Sequence, residues 1–307
     1  MENFFVLSSL TAGALLPIQA GANAQLSKAV GSAFGATAIQ LVVGTIALVI
    51  VTTLMGGLGT LGALRDIPWW HAVGGTASAF YVVATILLFP RLGAVMSVGL
   101  FIAGQMLTSL ALDVFGLLGI PETPLRGSVL AGTLAVLVGA TAIVFGQRSA
   151  GSESSGSKPG WIAFALAAGA VLPFQGAVNA LLRADIGAPF TVGAISFLVA
   201  SLSMAAVLIL AVTIFKTPAP NIAGVTGMPL WGWLGGLAGA IYVTTVFTAM
   251  PVIGAAAVVG LTVAGQQVAS VFVDRYGWFR LPKRPPSALR LAGVAALLAG
   301  VAVIKAF

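Results

Sequence analysis

Apolar residues come along this chain in long, nearly unbroken runs, without the two-residue alternation of a half-buried strand. Each run has the length that one helix needs to cross a bilayer core, roughly 20 residues. Short breaks of glycine, proline and charged residues separate them. The pattern predicts helices over 4–26, 33–56, 69–89, 92–114 and 126–146, then over 161–182, 188–215, 229–249, 252–273 and 287–306. The longest strongly polar stretch, Gln147 to Gly160, divides the two groups and is rich in Ser and Gly. Its composition is that of a flexible linker. The expected fold is all-α, an integral membrane protein with ten transmembrane helices. The first run starts Met-Glu-Asn and continues through Pro17 and Gln19, unlike a signal peptide with its basic start and small-residue cleavage site. It is expected to remain as the first span.

An internal repeat organises these spans. Residues 12–26 read AGALLPIQAGANAQL and residues 168–182 read AGAVLPFQGAVNALL, with nine of fifteen positions identical at an offset of 156. At an offset of 161 the match continues. Gly74-Gly75 pairs with Gly235-Gly236, Tyr81 with Tyr242, Pro90 with Pro251 and Gly93 with Gly254. Ala103-Gly104-Gln105 pairs with Ala264-Gly265-Gln266, Asp113 with Asp274, and Gly132 and Gly139 with Gly293 and Gly300. The division is a first five-helix repeat at 1–146, a cytoplasmic linker at 147–160 and a second five-helix repeat at 161–307. Five is odd, so the second repeat enters the membrane from the opposite side. That is the inverted-topology plan of secondary transporters.

Composition narrows the function. Hydrophobic residues make up 59% of the 307 and charged residues 7%, against about 25% charged in a soluble domain. Lipid must be the main solvent. The net charge of +7 is spread thinly between apolar runs, so it reads as topology and not as a nucleic-acid footprint. With the N-terminus outside, the inner side holds Lys28, Arg91, Arg148, Lys158, Lys216, Arg275, Arg280, Lys283, Arg284 and Arg290. The outer side then holds Arg65, Arg126, Arg183 and Lys305. Both termini are therefore expected outside, although the loop 274–290 supplies half of the inner charge. No cysteine is present, which excludes thiolate catalysis, thiolate metal sites and disulfides. The single histidine, His71, cannot make a histidine cluster for metal. No nucleotide-binding loop of the Walker type occurs.

The duplicated A-G-A-x-L-P-x-Q-x-x-x-N-A-x-L at 12–26 and 168–182, with the paired A-G-Q-x-x-x-S-x-x-x-D from 103 and from 264, resembles the bacterial YdcZ-like family of the drug/metabolite transporter superfamily, in a two-domain fused form. The resemblance covers both halves. It implies a bundle in the bacterial inner membrane, with spans 1–4 and 6–9 around a central cavity and spans 5 and 10 at the periphery. It also implies transport, with efflux favoured.

Candidate site residues follow from the repeat. Pro17 and Pro173 lack an N–H and are expected to kink their helices, leaving the Gly13 and Gly169 carbonyls without a helical partner. Gln19 and Asn23 share one helix face, as do Gln175 and Asn179. These four amides are candidate substrate ligands, with interhelical hydrogen bonding as the plainer alternative. Gln105, Ser109 and Asp113 recur every four residues and are repeated by Gln266, Ser270 and Asp274. The glutamines extend the substrate surface. The aspartates and serines are candidates for gating or proton coupling near the span ends, with an interfacial ion pair as the alternative. Each carboxylate sits near a helix C-terminus, where it opposes the dipole and calls for a cation; Arg126 and Arg275 are near in sequence. Tyr81 and Tyr242 occupy matching mid-span positions, suited to stacking or to a cation, or to packing. Trp69, Trp70 and His71, with Trp231 and Trp233, read as interfacial belts. Glycines seven apart on spans 5 and 10 read as close packing inside the bundle or as a homodimer face.

The expected function is a secondary transporter of a small organic solute by alternating access. Its substrate is neutral, zwitterionic or weakly cationic, because no span carries a charge near its middle. A passive channel or facilitator and, further off, a membrane enzyme are the alternatives. The expected partners are a small-molecule substrate and membrane lipid, with no nucleic acid, and the chain acts as a monomer or homodimer. No cofactor, no metal and no enzymatic activity is expected.

Overall fold

The computed structural model describes residues 1–146 and 159–306, so nearly all of the expected linker lies outside the described residues. Every regular element among them is helical. The first half contains α1 (Glu2–Ala14), α2 (Leu16–Val30), α3 (Ala33–Leu54), α4 (Thr76–Leu92), α5 (Ala94–Val114) and α6 (Gly127–Gly146). The second contains α7 (Pro159–Ile186), α8 (Pro189–Thr213), α9 (Leu234–Ile253), α10 (Ala255–Tyr276) and α11 (Ala288–Ala306). Eight helical segments are long and apolar enough to cross a membrane, with α1 and α2 forming one of them. The remaining two expected spans carry the shorter apolar stretches Gly127–Ile143 and Ala288–Ile304. Large apolar side chains such as Ile46, Ile50, Val138 and Leu202 lie exposed on the outer faces of their helices, as a lipid-facing surface requires.

The two prolines are used differently. The first segment breaks at Leu15, whose N–H turns back to the Ala12 carbonyl at 3.1 Å. Pro17 then lies in the first turn of α2, where a missing N–H is tolerated. Pro173 sits inside α7, which runs as one helix of 28 residues. The expected kink is thus a break in one copy and is absorbed within a continuous helix in the other.

Elsewhere the backbone repeats closely. Gly93 joins α4 to α5 at φ 78°, ψ 149°, and Gly254 joins α9 to α10 at φ 85°, ψ 153°. Only glycine occupies that region freely. The loops after α5 and α10 also match. Leu118 and Phe279 are both left-handed, at φ 54° and φ 57°. The Thr123 N–H donates to the Asp113 carbonyl at 2.7 Å, and the Arg284 N–H to the Asp274 carbonyl at 2.7 Å.

Three pairs of equivalent helices, α3 with α8, α5 with α10 and α6 with α11, lie side by side and run antiparallel. On α6 and α11 a Cβ placed at Gly132 would fall 2.6 Å from the Gly300 carbonyl oxygen, and one at Gly139 would fall 2.6 Å from the Gly293 carbonyl oxygen. The rising order on one helix is the falling order on the other. The glycine stripes are therefore spent on each other within one chain, and α6 and α11 sit to one side against α5 and α10. On α3 and α8 the Thr45 hydroxyl meets the Ser201 hydroxyl at 3.0 Å, and these two positions are equivalent in the repeat. Between non-equivalent helices, glycines allow backbone contact. Gly13 of α1 and Gly265 of α10 lock together at the Thr262 and Leu10 carbonyls. Gly169 of α7 and Gly104 of α5 do the same at Phe101 and Leu166. Lipid offers no hydrophobic drive between helices, so such close van der Waals approach carries their association.

Candidate functional site

The repeated amides turn toward neighbouring helices and not toward lipid. On α7, Gln175 is buried and joined to Ser78 of α4 by contacts of 2.9 and 3.1 Å. One turn on, the Asn179 Nδ2 donates to Ser196 of α8 at 3.0 Å. Its Oδ1 packs on Gly74 without a hydrogen-bond partner among the described residues. The first copy is less engaged. Gln19 lies against Gly239, which stands where the other half has Ser78, so no hydroxyl answers it. The Asn23 Oδ1 and the neighbouring Gln25 Nε2 are buried without a hydrogen-bond partner among the described residues. The four amides are thus unequal: the α7 pair ties helices together, and the α2 pair keeps binding capacity in reserve.

Tyr81 and Tyr242 lie near enough for their phenols to interact electrostatically, across the boundary between the halves. The Tyr81 ring packs on Phe101 at 5.1 Å, and the Tyr242 hydroxyl is beside Thr262, the residue equivalent to Phe101. Gln105 is buried on α5, and Gln266 is half-buried on α10. Ser109 and Ser270 direct their hydroxyls to the carbonyls of Met106 and Gln267 at 3.0 and 2.8 Å, so neither is a free donor toward a pathway.

The aspartates depart furthest from expectation. Asp113 is buried, and its two carboxylate oxygens accept from the N–H groups of Ala255 and Ala256 at 2.6 and 2.8 Å. The carboxylate that opposes its own helix dipole is satisfied at the positive end of a neighbouring one. Asp274 instead pairs with Arg290 at 2.7 Å. Neither of the arginines closest in sequence is the partner expected of them. The two carboxylates lie at opposite ends of α10, about 28 Å apart at 1.5 Å of rise per residue, so they form no dyad.

The mouth at Asp113 is packed shut. Gly176 of α7 abuts Met250 and Val246 of α9, with its Cβ position 2.7 Å from the Met250 sulfur. The Arg183 guanidinium donates to the Thr248 carbonyl at 3.3 Å. His71 pairs with Asp185 through Nδ1 at 2.5 Å. This corrects the reading of His71 as part of an interfacial belt: Trp69 and Trp70 are exposed, but His71 is buried. Every residue from Ala255 to Gly265 is buried. The mouth at Asp274 differs at each equivalent position. Ala20, the counterpart of Gly176, is exposed, and Phe89, the counterpart of Met250, is half-buried. Among the described residues, and apart from its chain neighbours, no atom lies within 4 Å of a Cβ placed at Gly93.

Several of these residues escaped the sequence reading. Ser78, Ser196 and Arg290 lie in or beside apolar runs without any spacing motif. Gln40, whose Nε2 donates to the Gly232 carbonyl at 2.8 Å, could have been found as a lone amide inside the apolar run 33–56.

The comparisons with known proteins agree with this architecture. A family described as "Putative inner membrane exporter, YdcZ" matches twice, over residues 4–142 and again over 160–303. Inner membrane protein YdcZ of Escherichia coli (strain K12) is 26% identical over 132 residues. The match spans 88% of that protein but 43% of this chain, so the E. coli protein is about half as long. A solved structure titled only as the crystal structure of a protein superposes with a TM-score of 0.70 at 18% identity. It covers 99% of this chain and 97% of the other, and shows that the fold is shared from end to end. The chain belongs to the YdcZ family of multi-pass inner membrane transporters, with each of its halves matching the family once.

Proposed function

We propose that this chain is a ten-span secondary transporter whose two five-helix halves are inserted with opposite polarity and exchange conformations to move a small organic solute by alternating access. One observation carries the reading: two halves with matching glycine joints and loops meet through antiparallel equivalent helices, yet are packed shut at one mouth and loose at the other. An inverted pair can convert between two such arrangements by swapping the roles of its halves. With both termini outside, as the basic loops favour, the loose mouth faces the cytoplasm, which suits efflux. The substrate meets Gln19 and Asn23 with Tyr81, Tyr242 and Gln266, while Gln175, Asn179 and Gln105 hold the opposing wall. That inventory of amides and phenols, without a mid-span charge, suits a neutral, zwitterionic or weakly cationic metabolite.

Flux in proteoliposomes over a broad metabolite panel tests this reading. The expected outcome is saturable transport of at least one solute, reduced by Gln19→Leu and by Asn23→Leu. Non-saturable flux with unitary currents in planar bilayers would assign a channel instead. No flux of any solute would overturn the proposal.

A further inference from the structure

We propose that Asp113 and Asp274 are mutually exclusive caps on the facing ends of α10 and α5, and that Arg290 is the positioning residue that decides between them. The inference rests on the alternating-access reading and adds the device that sets its resting state.

The two caps are built from the same parts. Each aspartate ends a helix, with Ser109 or Ser270 one turn earlier and the same loop bond to its carbonyl. Asp113 meets the start of α10, which opens directly after Gly254, and the repeat makes the start of α5, directly after Gly93, the counterpart for Asp274; both glycines have positive φ. Only one cap is engaged. Asp113 lies beside Gly254, with its oxygens 3.3 and 3.4 Å from that residue's Cβ position, and no described side chain takes the same place at Gly93. α5 and α10 are antiparallel neighbours, and α10 is a single helix of 22 residues. Tilting such a rod toward α5 at one end draws it away at the other. Both caps cannot be made at once.

One substitution in the repeat breaks the equivalence of the two devices. Arg290 is buried, and its Nη2 reaches Asp274 at 2.7 Å and Ser270 at 3.0 Å. The equivalent position beside Asp113 is Val129. Asp274 must therefore leave a guanidinium before it can reach the start of α5, whereas Asp113 gives up nothing comparable to reach α10. Two orphan N–H groups at a helix start attract a carboxylate on either side. Arg290 competes for only one of the two carboxylates. It biases the protein toward the arrangement with the Asp113 mouth shut.

The chain has no cysteine, so single thiols report accessibility in an otherwise native protein. Met250→Cys reports on the Asp113 mouth and Ala20→Cys on the Asp274 mouth, each read as the rate of alkylation by a polar maleimide in detergent without substrate. The unaltered pair of caps should leave Ala20→Cys reactive and Met250→Cys protected. Arg290→Gln should raise the Met250→Cys rate and lower the Ala20→Cys rate, changing their ratio by about tenfold, the effect of losing one charge-assisted hydrogen bond. Arg290→Lys should restore most of the difference. Asp113→Asn should move both reporters in the same direction as Arg290→Gln. In an Asp274→Asn background, Arg290→Gln should have no further effect, because the carboxylate it controls is gone. An equal Arg290→Gln effect with and without Asp274 would reduce Arg290 to packing and overturn the proposal. So would Asp113→Asn and Arg290→Gln proteins that fold but leave both reporters unmoved. Reporters that switch as expected in a protein without saturable flux would sink the transporter reading and leave the caps standing. Saturable flux with insensitive reporters would do the reverse.

Discussion

The two mouths are made from one design and arrive at different contacts. At the Asp113 mouth, Arg183 and the His71–Asp185 pair tie the helix ends together. Their equivalents at the other mouth are Ser27, Gly232 and Ala29, none of which can form an ion pair. At the Asp274 mouth the added charge is Arg290, which pairs with Asp274 at 2.7 Å. Duplication supplies the ability to close at either end. Divergence at a few positions decides which end closes at rest. A ligand that favours the opposite arrangement must offset those contacts with its own differential binding.

The comparison is broken outright by separating the halves. Gly265 and Gly104 touch backbone on their partner helices, and neither helix can shift without opening the whole interface. Gly265→Leu and Gly104→Leu are expected to exceed the ~1–3 kcal/mol typical of overpacking and to abolish monodisperse protein on size-exclusion chromatography. The two effects should be equal, since the contacts are equivalent. Survival of either variant with normal yield would argue against these backbone contacts holding the halves together.

Smaller changes sharpen the comparison by acting on one mouth. Gly176→Leu drives a side chain against the Met250 tip and Val246, crowding the Asp113 mouth and disfavouring its closure. Ala20→Leu meets open space and should leave this arrangement intact while blocking the closure of the other mouth. Both variants should lose about tenfold or more in flux, the effect of a shift of ~1.4 kcal/mol or more in the equilibrium between arrangements. They should trap opposite arrangements, seen as opposite shifts in the thiol reporters. Identical shifts would mean that the two positions are not counterparts.

A third test separates binding from packing at one repeated residue. Gln175→Leu removes the bonds to Ser78 and should lower thermal stability by about 1 kcal/mol. Gln19→Leu has no such bonds to lose. It should leave the unfolding temperature within experimental error and reduce flux or ligand-induced stabilisation. Equal stability losses from the two would show that the amides are interhelical glue in both copies.

Much of this architecture was legible because duplication leaves its mark on backbone-determining residues. Gly93 and Gly254 stand after Pro90 and Pro251 in the sequence, and both adopt the glycine-only turn between helices. The glycine stripes of α6 and α11 were legible from spacing as close-packing faces, but not as faces that meet each other within one chain. The conformational difference was not, since near-identical motifs give no reason for one to close and the other to open. Pro17 and Pro173 illustrate this: one motif produced a break in the first copy and a continuous helix in the second. The partners of the aspartates were hidden for another reason. Asp113 binds backbone N–H groups 142 and 143 residues away, and a backbone donor has no residue type to search for. Arg290 lies past a loop from Asp274, beyond Arg275, so proximity in sequence pointed to the wrong guanidinium. The departures from the repeat, among them Arg290 against Val129, His71 against Gly232 and Arg183 against Ser27, carried the asymmetry.

The smallest expected effect lies on the axis between the halves. Thr45 and Ser201 are equivalent positions joined hydroxyl to hydroxyl, and Thr45 also donates to the Leu41 carbonyl at 2.8 Å. Thr45→Val keeps the shape and removes the bond, so its expected loss is within ~0.5–1.5 kcal/mol, reduced further because Ser201 can turn to a carbonyl of its own helix. A contact on the axis bears equally on both mouths. Thr45→Val should therefore lower the unfolding temperature slightly and leave the ratio of the two thiol reporters unchanged. Val at 45 is also the negative control for Arg290→Gln, which should shift that ratio with a comparable change in stability. A reporter shift from the axial variant would place part of the bias at the centre of the bundle, and the preference for the shut Asp113 mouth would then no longer belong to the mouths alone.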